Sequence, residues 1–140
     1  GRAEVREFDA GGLMVAPGLI DVHVHFRDPG FLYKEDIISG SRAAAKGGFT
    51  TVVLMANTRP AVDDAEVLQY VLEKGRRTGI HVESCCAVTR GLQGKELTDM
   101  KGLLAAGAVG FTDDGIPLAE DVARAAMERT AQLGTVLSVH

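Results

Sequence analysis

The sequence predicts an α/β fold of the (β/α)8 barrel type, with about the first half of the barrel present. Three observations carry this expectation. Short apolar runs alternate with helix-like stretches that tend to end at glycine. The runs are rich in Val, Leu and Ala with little polar alternation, as in a parallel sheet covered on both faces. Polar residues gather at the C-terminal ends of several different runs, where barrel enzymes place their sites. An open doubly wound sheet is the competing architecture, but no glycine-rich phosphate loop follows the first run. Closure takes eight strands and typically about 250 residues, and these 140 residues supply five runs.

Residues 1–16 read as the tail of a small β domain. Gly1 to Met14 is strand-like with a turn at Gly11-Gly12. The first half of the barrel is expected over residues 17–140. The strands fall at Leu19 to His25, Thr51 to Ala56, His81 to Val88, Ala108 to Thr112 and Thr135 to His140. Helices fall between them at Lys34 to Lys46, Asp63 to Arg77, Leu97 to Ala106 and Ala119 to Leu133. In the second helix Val67, Leu68, Val71 and Leu72 make one apolar stripe suited to covering a sheet, with Glu66, Glu73, Lys74 and Arg76 on the solvent side. Gly47-Gly48, Gly79, Gly107 and Gly134 each fall just past a helix. With no initiator methionine and a last strand ending at His140, the expected polypeptide is longer than this span.

The first strand carries the densest chemistry, in Pro17-Gly18-Leu19-Ile20-Asp21-Val22-His23-Val24-His25-Phe26-Arg27-Asp28-Pro29-Gly30. Alternation along a strand puts His23 and His25 on one face and Val22, Val24 and Phe26 on the other, so both imidazoles reach one divalent cation. Arg27 continues the histidine face, and Asp28-Pro29-Gly30 supplies the turn that exposes the strand end. Asn57 follows the second strand and would orient a carbonyl or carboxylate, or simply form a turn. Asp113-Asp114-Gly115 follows the fourth strand. One aspartate there would bridge two metals while the other holds the turn, or both would serve an Asx-type turn. His140 ends the fifth strand and would face inward with the rest, or is only a stray terminal histidine. Imidazole with carboxylate suits zinc, with other first-row divalent metals as alternatives, one or two ions per site, and the reaction class is metal-assisted hydrolysis or its reverse. A substrate carboxylate would account for Arg27, because guanidinium pairs with that group through two parallel hydrogen bonds.

Composition restricts the alternatives. The chain is 46% hydrophobic with a net charge of −4 and scattered basic residues, which fits a soluble globular unit and gives no nucleic-acid footprint. No apolar stretch approaches a membrane span, and the first residues lack a secretory layout, so the default location is the cytoplasm. Cys85 and Cys86, the only two cysteines, are adjacent in a strand and point to opposite faces. They make a poor disulfide pair and read as small buried hydrophobes.

The segment from Pro17 to Gly30, with Gly47-Gly48-Phe49-Thr50-Thr51, Met55-Ala56-Asn57-Thr58-Arg59-Pro60 and Gly110-Phe111-Thr112-Asp113-Asp114-Gly115, resembles the bacterial dihydroorotases of the amidohydrolase superfamily. The resemblance spans nearly the whole chain. Two alternate histidines alone would identify only the superfamily; the arginine two residues on and the downstream asparagine point to dihydroorotase. It implies that His23 and His25 bind one zinc, that a carboxylate at Asp114 rather than Asp113 bridges two metals, and that His140 binds the second. His25, Arg27 and Asn57 would meet the substrate, the last two holding the carboxylate of dihydroorotate or N-carbamoyl-L-aspartate. Ala56 stands where the family usually has proline, and the fourth strand offers aspartate where many relatives use a carboxylated lysine; the nearby Lys101 lies in the preceding helix.

The remaining metal histidine and the general acid/base, an aspartate, are implied beyond residue 140, so this span alone is expected to be a poor catalyst. A homo-oligomer or a complex with a pathway enzyme would be compatible. The alternatives are another cyclic amidase of allantoinase or hydantoinase type, against which Arg27 and Asn57 argue, and a non-catalytic scaffold, which would have no use for metal ligands.

Overall fold

A computed structural model of the chain describes residues 5–139. Five strands, β1 (Leu19–Val24), β2 (Phe49–Leu54), β3 (His81–Cys86), β4 (Gly110–Phe111) and β5 (Val136–Leu137), lie in the spatial order of the sequence. Every neighbouring pair is parallel. A doubly wound sheet reverses its strand order at a switch point, whereas this sheet advances one strand at a time, as a barrel wall does. The helices α1 (Ile37–Lys46), α2 (Ala65–Gly75), α3 (Met100–Ala105) and α4 (Glu120–Leu133) form the crossovers.

Helix starts follow capping chemistry. Asp36 accepts from the Ile38 and Ser39 amides at the head of α1, which trims this helix by three residues from the expected start at Lys34. Asp64 caps α2 through the Val67 amide and Asp99 caps α3 through the Gly102 amide. Leu97, expected as the first residue of α3, instead forms an antiparallel bridge with Thr89. Gly134 ends α4 in the left-handed region at φ 63°. A short 3-10 helix, Arg90–Leu92, follows β3 and has no counterpart in the sequence expectation.

The core lies between the sheet and the helices. All four stripe residues of α2, Val67, Leu68, Val71 and Leu72, are buried there with Val52, Leu54, Ile37 and Phe111. Gly40 lets α1 approach closely, because a Cβ at that position would lie 2.5 Å from the Phe26 ring. Burial is one-sided at β1, where Leu19, Ile20 and Val22 are 55%, 63% and 69% exposed. The expectation of a sheet covered on both faces therefore holds for the helix side only among the described residues. Residues 5–16 form no paired strand and are almost wholly exposed, with a turn at Gly11 and Gly12. The rest of the expected tail, residues 1–4, lies outside the described residues. No helix among the described residues is long and apolar enough to cross a membrane.

Candidate metal centre

β1 is not a regular strand. Asp21 pairs with Val52 and Val24 with Leu54, so β1 spends three steps where β2 spends two. This is a bulge, a device that bends a strand and re-aims its side chains. The Asp21 carboxylate accepts the His23 amide at 3.1 Å and so satisfies a donor within the irregular stretch. Beyond it, the Met55 amide donates to the Val24 carbonyl at 3.0 Å and holds the ends of β1 and β2 together.

The two histidines converge as the alternation predicts. Their Nε2 atoms are 3.2 Å apart, with the rings edge to face. Asp114, after β4, completes a triangle: its Oδ1 is 3.4 Å from His23 Nε2 and its Oδ2 is 3.4 Å from His25 Nε2. The Asp114 side chain is 8% exposed, and its Oδ1 is buried without a hydrogen bond among the described residues. A buried carboxylate oxygen in that state carries a desolvation cost that a cation would offset. Ligand bonds of 2.0–2.1 Å in a tetrahedron imply donor separations of about 3.3 Å. The observed spacings match, so the residues present fit a zinc-sized cation.

The neighbouring aspartate does something else. Asp113 is buried and accepts both the amide and the hydroxyl of Thr89, tying the loop after β4 to the loop after β3. The sequence leaves the two aspartates open, and geometry separates them. Asn57 lies between His25 and Asp114, its Oδ1 3.0 Å from His25 Nδ1 and its Nδ2 donating to Asp114 Oδ2 at 2.8 Å. Arg27 Nη1 donates to the Asn57 carbonyl at 3.2 Å, which puts the guanidinium beside the cluster. Strand alternation does not extend to Arg27, however. Its φ is 51°, in the left-handed region that costs a non-glycine residue about 1–2 kcal/mol.

What holds that loop is Asp28, fully buried, a residue the sequence marks only as a turn former. It accepts the Ile37 amide at 3.1 Å, the Tyr70 hydroxyl at 2.9 Å and the Lys74 ammonium at 2.6 Å. Lys74 thus leaves the solvent face expected for it and reaches under the loop. Burial works against its charge, but the Asp28 and Tyr70 hydrogen bonds outweigh this and raise its pKa above 10.5. His140, the remaining candidate ligand, lies outside the described residues. Lys101 is exposed on α3, and Cys85 and Cys86 are free and buried, as expected.

Known proteins resemble this chain in sequence and in fold. A dihydroorotase from Streptococcus pneumoniae serotype 4 is 55% identical over 133 residues, covering 94% of this chain and 32% of that protein. One from Clostridioides difficile gives the same values, and one from Streptococcus thermophilus is 52% identical over 138 residues, covering 98% of this chain and 33% of its own. The chain therefore spans about a third of the length of the curated relatives it matches. Among solved structures, the L-hydantoinase (dihydropyrimidinase) of Arthrobacter aurescens superposes with a TM-score of 0.77 at 26% identity, over 94% of this chain and 31% of that one. This likeness supports the reading of the five parallel strands as part of a barrel wall. The family model described as dihydro-orotase-like matches residues 12–140, and the chain belongs to that family.

Proposed function

We propose that the polypeptide containing this chain is a dihydroorotase, which interconverts N-carbamoyl-L-aspartate and (S)-dihydroorotate in pyrimidine biosynthesis. One observation carries the reading: a guanidinium anchored beside a His–His–Asp triangle, which pairs a carboxylate-binding group with a metal centre. The relatives that share this sequence at 52–55% identity bear the same name.

In this proposal His23, His25 and Asp114 hold zinc, with His140 and Asp114 serving a second ion. A bound zinc ion supplies Lewis acidity, raising the acidity of water and polarising a carbonyl. Arg27 binds and orients the substrate carboxylate with its unengaged N–H groups, at a position fixed by the Asp28 anchor. Asn57 contributes the second hydrogen of its amide nitrogen, and His25 borders the ring to be opened. The proton transfers belong to a group beyond residue 140, and residues 17–140 contribute to the barrel whose small companion domain includes residues 1–16. A cytoplasmic setting, and an oligomer or a complex with a pathway enzyme, belong to the same proposal.

The test is an Arg27→Met variant of the complete polypeptide, assayed on dihydroorotate and on a hydantoin without a carboxylate. A lost charge-assisted hydrogen bond is expected to raise KM for dihydroorotate about 10- to 100-fold with zinc content unchanged. Preferential turnover of the hydantoin, insensitive to Arg27→Met, would instead establish a hydantoinase-type enzyme.

A further inference from the structure

We propose that Asn57 is a positioning residue of the metal centre: its carboxamide fixes the tautomer of His25 and the orientation of Asp114, in addition to any contact with substrate. The inference rests on the metal-binding reading of His23, His25 and Asp114, but not on the identity of the substrate.

Chemistry alone settles which way the amide faces. An ionised carboxylate only accepts hydrogen bonds, so the end of Asn57 that lies 2.8 Å from Asp114 Oδ2 is the NH2 group. The carbonyl Oδ1 therefore faces His25 Nδ1, 3.0 Å away, and a carbonyl only accepts. His25 must then carry its hydrogen on Nδ1. In the neutral ring Nε2 then keeps the lone pair, and that atom is the one facing His23 Nε2 and Asp114. One side chain thus prepares two donors for the same cation, which is how groups behind metal ligands tune affinity. Free imidazole has no such constraint, and Nδ1–H in His25 is a signature of the contact.

The clamp is itself held. Arg27 Nη1 grips the Asn57 carbonyl at 3.2 Å, the Thr58 amide donates to the Ala56 carbonyl at 2.9 Å, and the Val62 amide reaches the same carbonyl at 3.1 Å. Asn57 is therefore positioned by the backbone following β2 rather than by substrate. Its role also accommodates a substrate contact, because an amide nitrogen has two hydrogens and Asp114 takes one.

Two readouts test this on the complete polypeptide, neither needing turnover. In the metal-free protein, histidine 15N NMR is expected to show His25 protonated at Nδ1, and Asn57→Ala is expected to lose that preference. Chelator competition is expected to show zinc bound about 10- to 100-fold more weakly by Asn57→Ala than by the unaltered protein. His25 protonated at Nε2 in the unaltered protein, or zinc affinity unchanged in Asn57→Ala with only KM raised, would overturn the proposal. If Asn57→Ala does not fold, the NMR of the unaltered protein decides alone. An unaltered polypeptide that binds no zinc would overturn the metal reading and this proposal with it, whereas zinc binding without dihydroorotate turnover would overturn only the choice of substrate.

Discussion

Single residues show where the sequence is legible and where it is not. His23 and His25 were readable because a strand's two-residue period is a strong geometric constraint that survives the bulge before Val24. Asp113 and Asp114 were not separable by composition, since which carboxylate points at the histidines depends on a turn; in the fold Asp113 is consumed by Thr89. The cysteines were readable from their apolar surroundings. Burial raises the Cys85 thiol to about 11, and burial together with the neighbouring Cys85, Asp63 and Asp64 raises Cys86 to about 12. Both thiols are then protonated and inert in the folded chain at neutral pH. A thiol reagent at pH 8 is expected to label neither cysteine until denaturant is added. Because the folded values lie above the ordinary 9.0, the two thiols leave stability untouched below about pH 9 and weaken it as pH rises toward 12, where the unfolded chain ionises first. A urea midpoint that stays level or rises between pH 9 and 11 would contradict this.

At the level of elements, strand and helix positions were legible within a few residues because apolar runs, capping aspartates and glycine stops agree with one another. The bulge in β1, the 3-10 helix at Arg90–Leu92, whose Gly91 amide donates to Asp63, and the Asp28 anchor were not, because each involves a partner distant in sequence. Lys74 is the clearest case. Helical periodicity places it toward solvent, yet it reaches a carboxylate 46 positions earlier that has no exposure at all. Removing one partner of such a pair leaves a buried charge poorly compensated, so Lys74→Met is expected to destabilise the fold by about 2–3 kcal/mol. Measured by urea unfolding at pH 7, a loss below about 0.5 kcal/mol would show that Tyr70 and the Ile37 amide suffice for Asp28. The sign with pH is fixed by the raised Lys74 pKa: its contribution is complete below 10.5 and fades as pH rises through the folded value. The same variant is expected to loosen the loop that carries Arg27 and so, on the proposed function, to raise KM for dihydroorotate.

Across the whole molecule, strand order, helix placement and the location of the polar cluster express one architecture. Parallel strands in sequence order carry their chemistry at one end, so loops after β1, β2 and β4 meet although they are far apart in the chain. Barrel architecture was legible because it is repetitive; the bulge and the asparagine clamp that shape the centre are single events without periodicity.

On the proposed function, His23, His25 and Asp114 hold a catalytic metal. The most direct test is zinc content and dihydroorotate hydrolysis measured together on the complete polypeptide and on its His23→Ala, His25→Ala double variant. Stoichiometric zinc with turnover is expected in the first and loss of both in the second. Turnover that persists in the double variant, or full zinc content retained there, would contradict it.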